Sequence, residues 1–522
     1  MSTLVILPLL VPLLAAAVLL LAGRDARTWP LLVSGAAVVL QLLAALALGM
    51  ATSDGAVLAY LAGNWAAPFG IVLAADRLAV LLLSLTAVLA LAGLLAGRDE
   101  ASADPAADTG GGLFHGLFQL QLFGLNGAFL TADLFNLFVF FEVLLCASYA
   151  LLVRGRDGAR FSAATHYVVI NLLASSLFLL AAALLYGVLG TLNMADLAVR
   201  VAAAPEADRA LIGSAGLLLF TVFAVKAALL PLGLWLPATY RAAPVAVSIL
   251  FVLMTKVGVY AILRVSTVVF GLEGAPDGNL EIPPLLPLAL LTLAVSAFGA
   301  IAARGLRTLV SHLVIGSAGT LLIVIAIGTA GSLAAGLFYL VHSTLGAALL
   351  FAVAGLLIGQ RGGSADRLVA GGGPGRAGTG VLYLLGALGM AGLPPLAGFV
   401  AKARLLDAVL TEVASPGWSA TVVGVILGAA LLTLLALVRA GSTLFWTPAE
   451  GPPAGKPASS TRGTQLAALL LLGAWLSFSA APGPLLHYTA HSAEQLLEPA
   501  GYVDAILGQA PVQRLSAAGD AP

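Results

Sequence analysis

The amino-acid sequence predicts an all-α polytopic membrane protein of about fourteen transmembrane helices, with two inverted five-helix repeats and two broken helices. Three observations lead there. The 522 residues are 61% hydrophobic and 9% charged, with a mean hydropathy of +1.06, too apolar for a water-facing surface. Apolar runs near the roughly 20 residues that cross a bilayer follow one another for most of the chain. Basic residues concentrate in alternate loops between those runs. Helices are the economical form for such runs, because open backbone in lipid leaves each N–H and C=O without a partner.

The expected spans begin with 3–23, 29–50 and 71–97, an N-terminal three-helix region within residues 1–110. The first of them has no basic stretch before it and no small-residue cleavage site, so it is expected to be retained as a helix. Next come 111–130, 134–153, 162–187, 211–236 and 245–271, the first repeat (111–271). The second repeat (283–440) holds 283–302, 308–329, 333–359, 377–412 and 419–439. A last span at 464–480 and an external C-terminal tail complete residues 441–522. The polar stretches 98–110, 188–210, 360–376 and 440–463 are expected to be linkers.

The seventh span, FAVKAALLPLGLWLPATY, is interrupted by Pro231 and Pro237, and the twelfth, GMAGLPPLAGFVAKARLL, by Pro394 and Pro395. A proline inside a packed membrane helix can be a simple kink. Matched breaks five spans apart point instead to a transporter built from repeats, and an odd offset makes the two copies inverted.

Alternate loops, starting with the first, carry Arg24 and Arg27; Arg98; Arg154, Arg156 and Arg160; Arg241; Arg304 and Arg307; Arg361, Arg367 and Arg376; and Arg439, Lys456 and Arg462. The opposite side carries Arg200, Arg209 and Arg514. By the positive-inside rule the basic loops are cytoplasmic and both termini external.

An ionisable side chain near the bilayer centre costs about 2.5–3.5 kcal/mol, so it faces the bundle interior and usually marks a pathway. Glu142, Lys226, Lys256 and Lys402 stand at such positions, two of the lysines beside a broken helix. Lysine suits a relay, because its flexible stem reaches several partners and its protonation responds readily to burial. Neighbouring groups of this kind can pass charge along a chain, with Glu142 and Lys226 as an ion pair that forms and breaks. Polar packing between helices is the structural alternative. His312 and His342 lie between Lys256 and Lys402 in chain order, as packing histidines or relay stations.

Asp76 and Arg77 are expected to pair at the membrane interface, Asp133 to anchor the fifth span, and Arg404 to pair with Asp407. Cys146 has no partner for a disulfide and reads as a small packing residue. No phosphate loop, metal-ligand spacing or serine nucleophile occurs, so no cofactor, metal or catalytic chemistry is expected.

The stretches DLFNLFVFFEVLLCASYALL, KAALLPLGLWLPATYRAAPVAVSILFVLMTKVGVYAILRV and GLPPLAGFVAKARLL resemble the D subunits of Mrp (Mnh) antiporters. The wider family includes the antiporter-like subunits of respiratory complex I. The resemblance covers about residues 1–510 and implies the same fourteen-span plan. It implies a central hydrophilic axis at Glu142, Lys226, Lys256 and Lys402, with His312 and His342 where relay histidines often occur. One departure is Ala347, where many relatives carry lysine.

The resemblance further implies a proton-translocating subunit of a bacterial cell-membrane Na+/H+ antiporter, a secondary transporter rather than an enzyme. Its partners would be subunits A, B, C, E, F and G, with no nucleic acid. In-span carboxylates are scarce, which places the sodium path in a partner. The alternatives are a proton-pumping subunit of NADH:quinone oxidoreductase, which the FNLFVFFEV run and the length after residue 500 argue against, and a non-conducting membrane scaffold.

Overall fold

The computed structural model describes residues 2–21, 29–65, 69–103, 111–154, 158–271, 285–361, 366–369, 377–447 and 461–508. Arg24, Arg27, Arg156, Arg376, Lys456 and Arg514 lie outside them, as does most of the expected 360–376 and 440–463 linkers.

The first half holds α1 (Leu7–Leu21), α2 (Trp29–Ala51), α3 (Arg77–Ala103), α4 (Gly112–Leu130), α5 (Leu134–Leu152), α6 (Gly158–Leu189), α7 (Met194–Ala202), α8 (Glu206–Lys226), α9 (Leu236–Ala242) and α10 (Val245–Val265). The second holds α11 (Leu285–Ala302), α12 (Leu306–Ile327), α13 (Ala330–Arg361), α14 (Ala377–Ala391), α15 (Ala397–Glu412), α16 (Pro416–Gly441), α17 (Arg462–Ala480), α18 (Gly483–Leu497) and α19 (Ala500–Leu507). Among the described residues, eleven helices are long and apolar enough to cross a membrane, and α1 and α14 are shorter apolar helices. In α4 the buried His115, Gln119, Gln121 and Asn126 lower the hydropathy of a helix of spanning length. With α14 and α15 counted as one interrupted span, the plan of about fourteen is reproduced.

Burial separates centre from rim. Every residue of α10 is buried, and α12 and α13 are nearly so. The rim helices expose large apolar side chains, among them Leu172 and Leu173 on α6 and Leu431 and Leu435 on α16. That surface belongs to lipid, and since lipid is itself apolar, interior packing and polar contacts hold the helices together. Asn126 Nδ2, for instance, donates to Gln41 Oε1 at 2.9 Å and to the Pro8 carbonyl at 2.8 Å, tying α4 to α2 and to the start of α1.

Several expectations are corrected. The presumed linker 188–210 contains α7, an amphipathic helix with Met194, Ala195, Leu197 and Val201 inward and an Asp196–Arg200 pair at 3.0 Å outward. α3 runs through Ala103, into the presumed linker at 98–110. The expected tail holds packed helices, α18 on α13 and α3, and α19 on α7, while residues 509–522 lie outside the described residues. A two-stranded antiparallel sheet pairs β1 (Leu58–Leu61) with β2 (Val72–Ala75), Leu58 opposite Ala75. Gly63 and Asn64, at φ 66° and 62°, occupy the left-handed region that these two residue types tolerate best. Cys146 is exposed on the outer face rather than packed inside. Arg404 and Asp407 are both exposed, and no ion pair joins them.

Asp76 does not pair with Arg77. It reaches Arg264 on α10, with Nη1–Oδ2 at 2.6 Å and Nη2–Oδ1 at 2.8 Å, and both side chains are 2% exposed. Asp76 Oδ1 also accepts from the Ala79 N–H at the start of α3. Tyr260 and Tyr502 place their rings 5.4 and 4.8 Å from the Arg264 guanidinium carbon. Arg77 turns outward and donates to the Ser53 carbonyl at 2.7 Å.

Asp133 does anchor the fifth span: its Oδ1 accepts from the Asn136 N–H at 2.8 Å, an N-cap. Burial pushes this carboxyl up to about 6 against the backbone N–H groups of Asn136 and Phe135, which draw it down.

Two outcomes follow. Removing one member of the buried pair strands a charge at a cost of about 3–5 kcal/mol, whereas replacing both restores apolar packing. Asp76→Leu should therefore lower the thermal unfolding midpoint sharply, and Asp76→Leu with Arg264→Met should recover most of it; equal midpoints for single and double variants would discount the pair. Because the folded-state pKa of Asp133 lies above its unfolded value, the stability it contributes is full below the usual carboxylate range and lost as pH rises through about 6. Melting curves from pH 4 to 7 should show that loss in the wild type and not in Asp133→Asn, which keeps a capping oxygen.

Candidate functional site

The first break follows Lys226, the last residue of α8. Ala228 turns the chain at φ 59°, and the backbone groups freed there find partners inside the protein. Leu230 N–H donates to Thr292 Oγ1 of α11 at 3.1 Å, and Trp235 Nε1–H to the Val225 carbonyl at 3.3 Å. Pro231 lies within the interruption and Pro237 in the first turn of α9. Gly258 on α10 meets the Lys226–Ala227 backbone so closely that no Cβ would fit.

Lys226 is buried, and its Nζ donates to Asn171 Oδ1 on α6 at 3.2 Å, with the Phe141 ring centroid 5.9 Å away. One turn along the same face of α6, Ser175 Oγ donates to Glu142 Oε1. No ion pair joins Glu142 to Lys226 within 4 Å, contrary to expectation; Asn171 and Ser175 hold them instead. A cavity of about 10 Å³ beside Lys226 and Asn171 is closed by Tyr167 and Trp235, whose rings stack at 5.0 Å. It has room for about one water molecule.

Lys256, in the middle of α10, is completely buried and donates to Ser317 Oγ of α12. Ser317 in turn donates to the Val314 carbonyl at 2.7 Å.

The second break separates α14 from α15, with Pro394 and Pro395 in the connection. A helix C-terminus leaves carbonyls without intrahelical partners and attracts positive charge. Lys402 meets both demands: its Nζ donates to the Ala391 carbonyl at 2.6 Å and approaches the Met390 carbonyl at 3.4 Å. Its stem crosses Gly392, whose φ of 85° and lack of a Cβ the path requires. His342 on α13 lies against Gly398 of α15, and its Nδ1 accepts from Trp475 Nε1–H at 3.0 Å. In the neutral ring that bond assigns the proton to Nε2.

A second cavity, of about 50 Å³, joins the two lysine environments. Ser317, Thr320, Tyr339, Met390 and Lys402 line it, so it runs from the partner of Lys256 to Lys402, and its size and polar walls suit a few waters. His312 stands at its edge and also lines a large open vestibule of about 1640 Å³. Six arginines face that vestibule: Arg160, Arg241, Arg304, Arg307, Arg367 and Arg439. Trp235 borders both the vestibule and the Lys226 cavity. The vestibule thus touches both halves, through Trp235 on one side and His312 on the other.

Of the residues singled out from sequence, His312 and Lys402 line the second cavity and Lys256 reaches its wall through Ser317, while Glu142 and Lys226 are held by neighbouring turns of α6. His342 stands apart with Trp475 and does not line the cavity leading to Lys402; Ala347 is buried further along α13. Asn171, Ser175, Ser317 and Thr320 were not anticipated. The (i, i+4) spacing of Asn171 and Ser175 within an apolar run was the available signal.

Residues 131–428 match the family described as NADH:quinone oxidoreductase/Mrp antiporter, TM. The chain is 38% identical to the D subunit of a probable K(+)/H(+) antiporter from Rhizobium meliloti (strain 1021), over 97% of either chain. It is 34% identical to the D subunit of a Na(+)/H(+) antiporter from Bacillus subtilis (strain 168), over 97% of this chain and 100% of that one. Among solved structures, a chain of the Mrp complex from Dietzia sp. DQ12-45-1b matches with a TM-score of 0.83 and 27% identity, covering 97% of this chain and 100% of that chain. With likeness over nearly its full length, the chain belongs to the NADH:quinone oxidoreductase/Mrp antiporter transmembrane family, among the antiporter D subunits.

Proposed function

We propose that this protein is the proton-translocating D subunit of a monovalent cation/proton antiporter complex, and that Glu142, Lys226, Lys256, His312, His342 and Lys402 form its relay. One observation carries the reading. The buried lysines bond to neutral acceptors, Asn171 Oδ1, Ser317 Oγ and the Ala391 carbonyl, and none of them has a carboxylate partner among the described residues. A lysine held this way gives up its proton without stranding an opposite charge. Charges retained only for packing would be expected in matched pairs, as Asp76 and Arg264 are.

In this scheme the proton reaches the interior from the arginine-lined vestibule, past Trp235 to Lys226 or past His312 to the cavity that ends at Lys402. Ser317 connects that cavity to Lys256. Glu142, one turn of α6 away from Lys226, changes charge in step through Asn171 and Ser175. His342, held by Trp475, would act from the other flank of Lys402. The same residues would supply the switch by favouring different charge states in turn.

Two inverted five-helix repeats fit this plan: α4–α10 and α11–α16 each place the broken helix fourth, and the third helix, α6 or α13, runs 32 residues in both. The bias of basic residues toward alternate loops supports a vestibule on the cytoplasmic side of the bacterial cell membrane, with both termini outside. The family resemblance supports assembly with subunits A, B, C, E, F and G, and the scarcity of carboxylates within the spans supports a metal-cation path in a partner. The named relatives differ in that cation, K(+) for one and Na(+) for the other.

Everted vesicles carrying the full complex should lose cation-dependent proton exchange in Glu142→Ala and Lys402→Ala, with assembly on native gels unchanged. Exchange that survives both substitutions would reduce these charges to packing. Asn171→Leu should also lower exchange, since it deprives a buried ammonium of its acceptor, at about 1–3 kcal/mol; Asn171→Gln, which keeps an amide, should restore part of it. Equal activity in the Leu and Gln variants would remove Asn171 from the path.

A further inference from the structure

The vestibule is more basic than a passage for cations should be. Among the described residues its six arginines face one carboxylate, Asp366, which accepts from the Arg307 backbone N–H at 2.9 Å and side-chain Nε at 3.3 Å. Arg160 and Arg439 each place one N–H on a carbonyl, of Arg154 and Ala303 respectively. The side chains of Arg241, Arg304 and Arg367 are exposed and have no acceptor among the described residues. Unneutralised, such a cleft repels hydronium and metal cations from Trp235 and His312, the two ways inward.

Beside the imidazoles of His166 and His312, the permanent positive charges described in the lining are guanidinium, the planar fork that matches a phosphate. The surroundings then choose between sources of phosphate. Leu234, which lines the cleft, is 74% exposed; Phe298 on α11, next to Gly299, is 62% exposed; and Val438 on α16, next to Arg439, is 59% exposed. Leu291, Val295, Leu431 and Leu435 continue this exposed apolar surface along the two packed helices. A free phosphate would account for the arginines alone. A headgroup with acyl chains accounts for both features, as basic pockets between membrane helices do elsewhere.

We propose that the vestibule seats the phosphate of an anionic phospholipid, its acyl chains lying along α11 and α16, and that this headgroup neutralises the doorway to Trp235 and His312. The seating stands independently of the transport reading; its effect on conduction rests on it.

The test uses the purified full complex, with bound phosphatidylglycerol measured by native mass spectrometry against phosphatidylcholine and inorganic phosphate. Wild type should retain phosphatidylglycerol, and neither competitor should displace it. The double variant Arg304→Gln, Arg367→Gln should bind about thirtyfold more weakly, from about fivefold for each basic group at a membrane surface. Arg209→Gln, on α8 away from the vestibule, should bind as wild type does. Neither the Arg304 nor the Arg367 side chain has a partner among the described residues, so the double variant should assemble. Equal retention by wild type and double variant would overturn the site, and displacement by inorganic phosphate would overturn the lipid as its occupant. In proteoliposomes of phosphatidylcholine, adding phosphatidylglycerol should raise exchange by wild type and not by the double variant; an equal rise in both would overturn the doorway role. Absence of exchange in every liposome would count against the antiport reading, while the binding measurement still decides the lipid.

Discussion

Inside a bilayer each backbone amide and carbonyl needs a partner from the protein, and the two helix breaks are where that demand is hardest to meet. The structure meets it with the residues that make the interior polar. Lys402 takes the carbonyl that the end of α14 releases, Trp235 takes the one released by Val225, and Thr292 receives the Leu230 amide. Break and cation thus stabilise one another: the interruption supplies acceptors for an ammonium that apolar surroundings would reject, and the ammonium satisfies backbone that lipid could not. Filling either half with a regular apolar helix would remove the need for the other.

The fully buried α10 packs against the first break and, through Lys256 and Ser317, reaches the wall of the cavity that leads to the second. It carries Lys256 at its middle, comes against the first break at Gly258, and ends near Arg264 in the ion pair with Asp76. A side chain at position 258 would push α10 off the Lys226 backbone. Neutral hydroxyls and amides then bridge what the charged groups do not reach. Among the described residues Lys226, Lys256 and Lys402 form no ion pair with a carboxylate, in contrast to Arg264 with Asp76.

Much of this was legible in the sequence. Length and hydropathy are one-dimensional properties, so the spans could be counted and the proline interruptions located. Lys226, Lys256 and Lys402 were visible because a charge in an apolar run contradicts its surroundings. What escaped depends on partners distant in the chain. Asp76 looked like a surface residue beside Arg77, and only the fold brings Arg264 to it. Serine and asparagine are common in membrane helices, so Ser175, Ser317 and Asn171 carry little signal until their neighbours are known. The helix α7 was hidden by its polar face, and α18 and α19 by the habit of treating whatever follows a last span as tail.

The Tyr502 ring over Arg264 has a consequence for biosynthesis. Asp76, Arg264 and Tyr502 are made in that order, far apart in the chain, so the cover over the ion pair cannot close before Tyr502 has been made. Until α19 arrives, that face of the guanidinium has no aromatic lid. The cover therefore joins two stages of synthesis, present only in molecules where α19 has docked against helices inserted long before it.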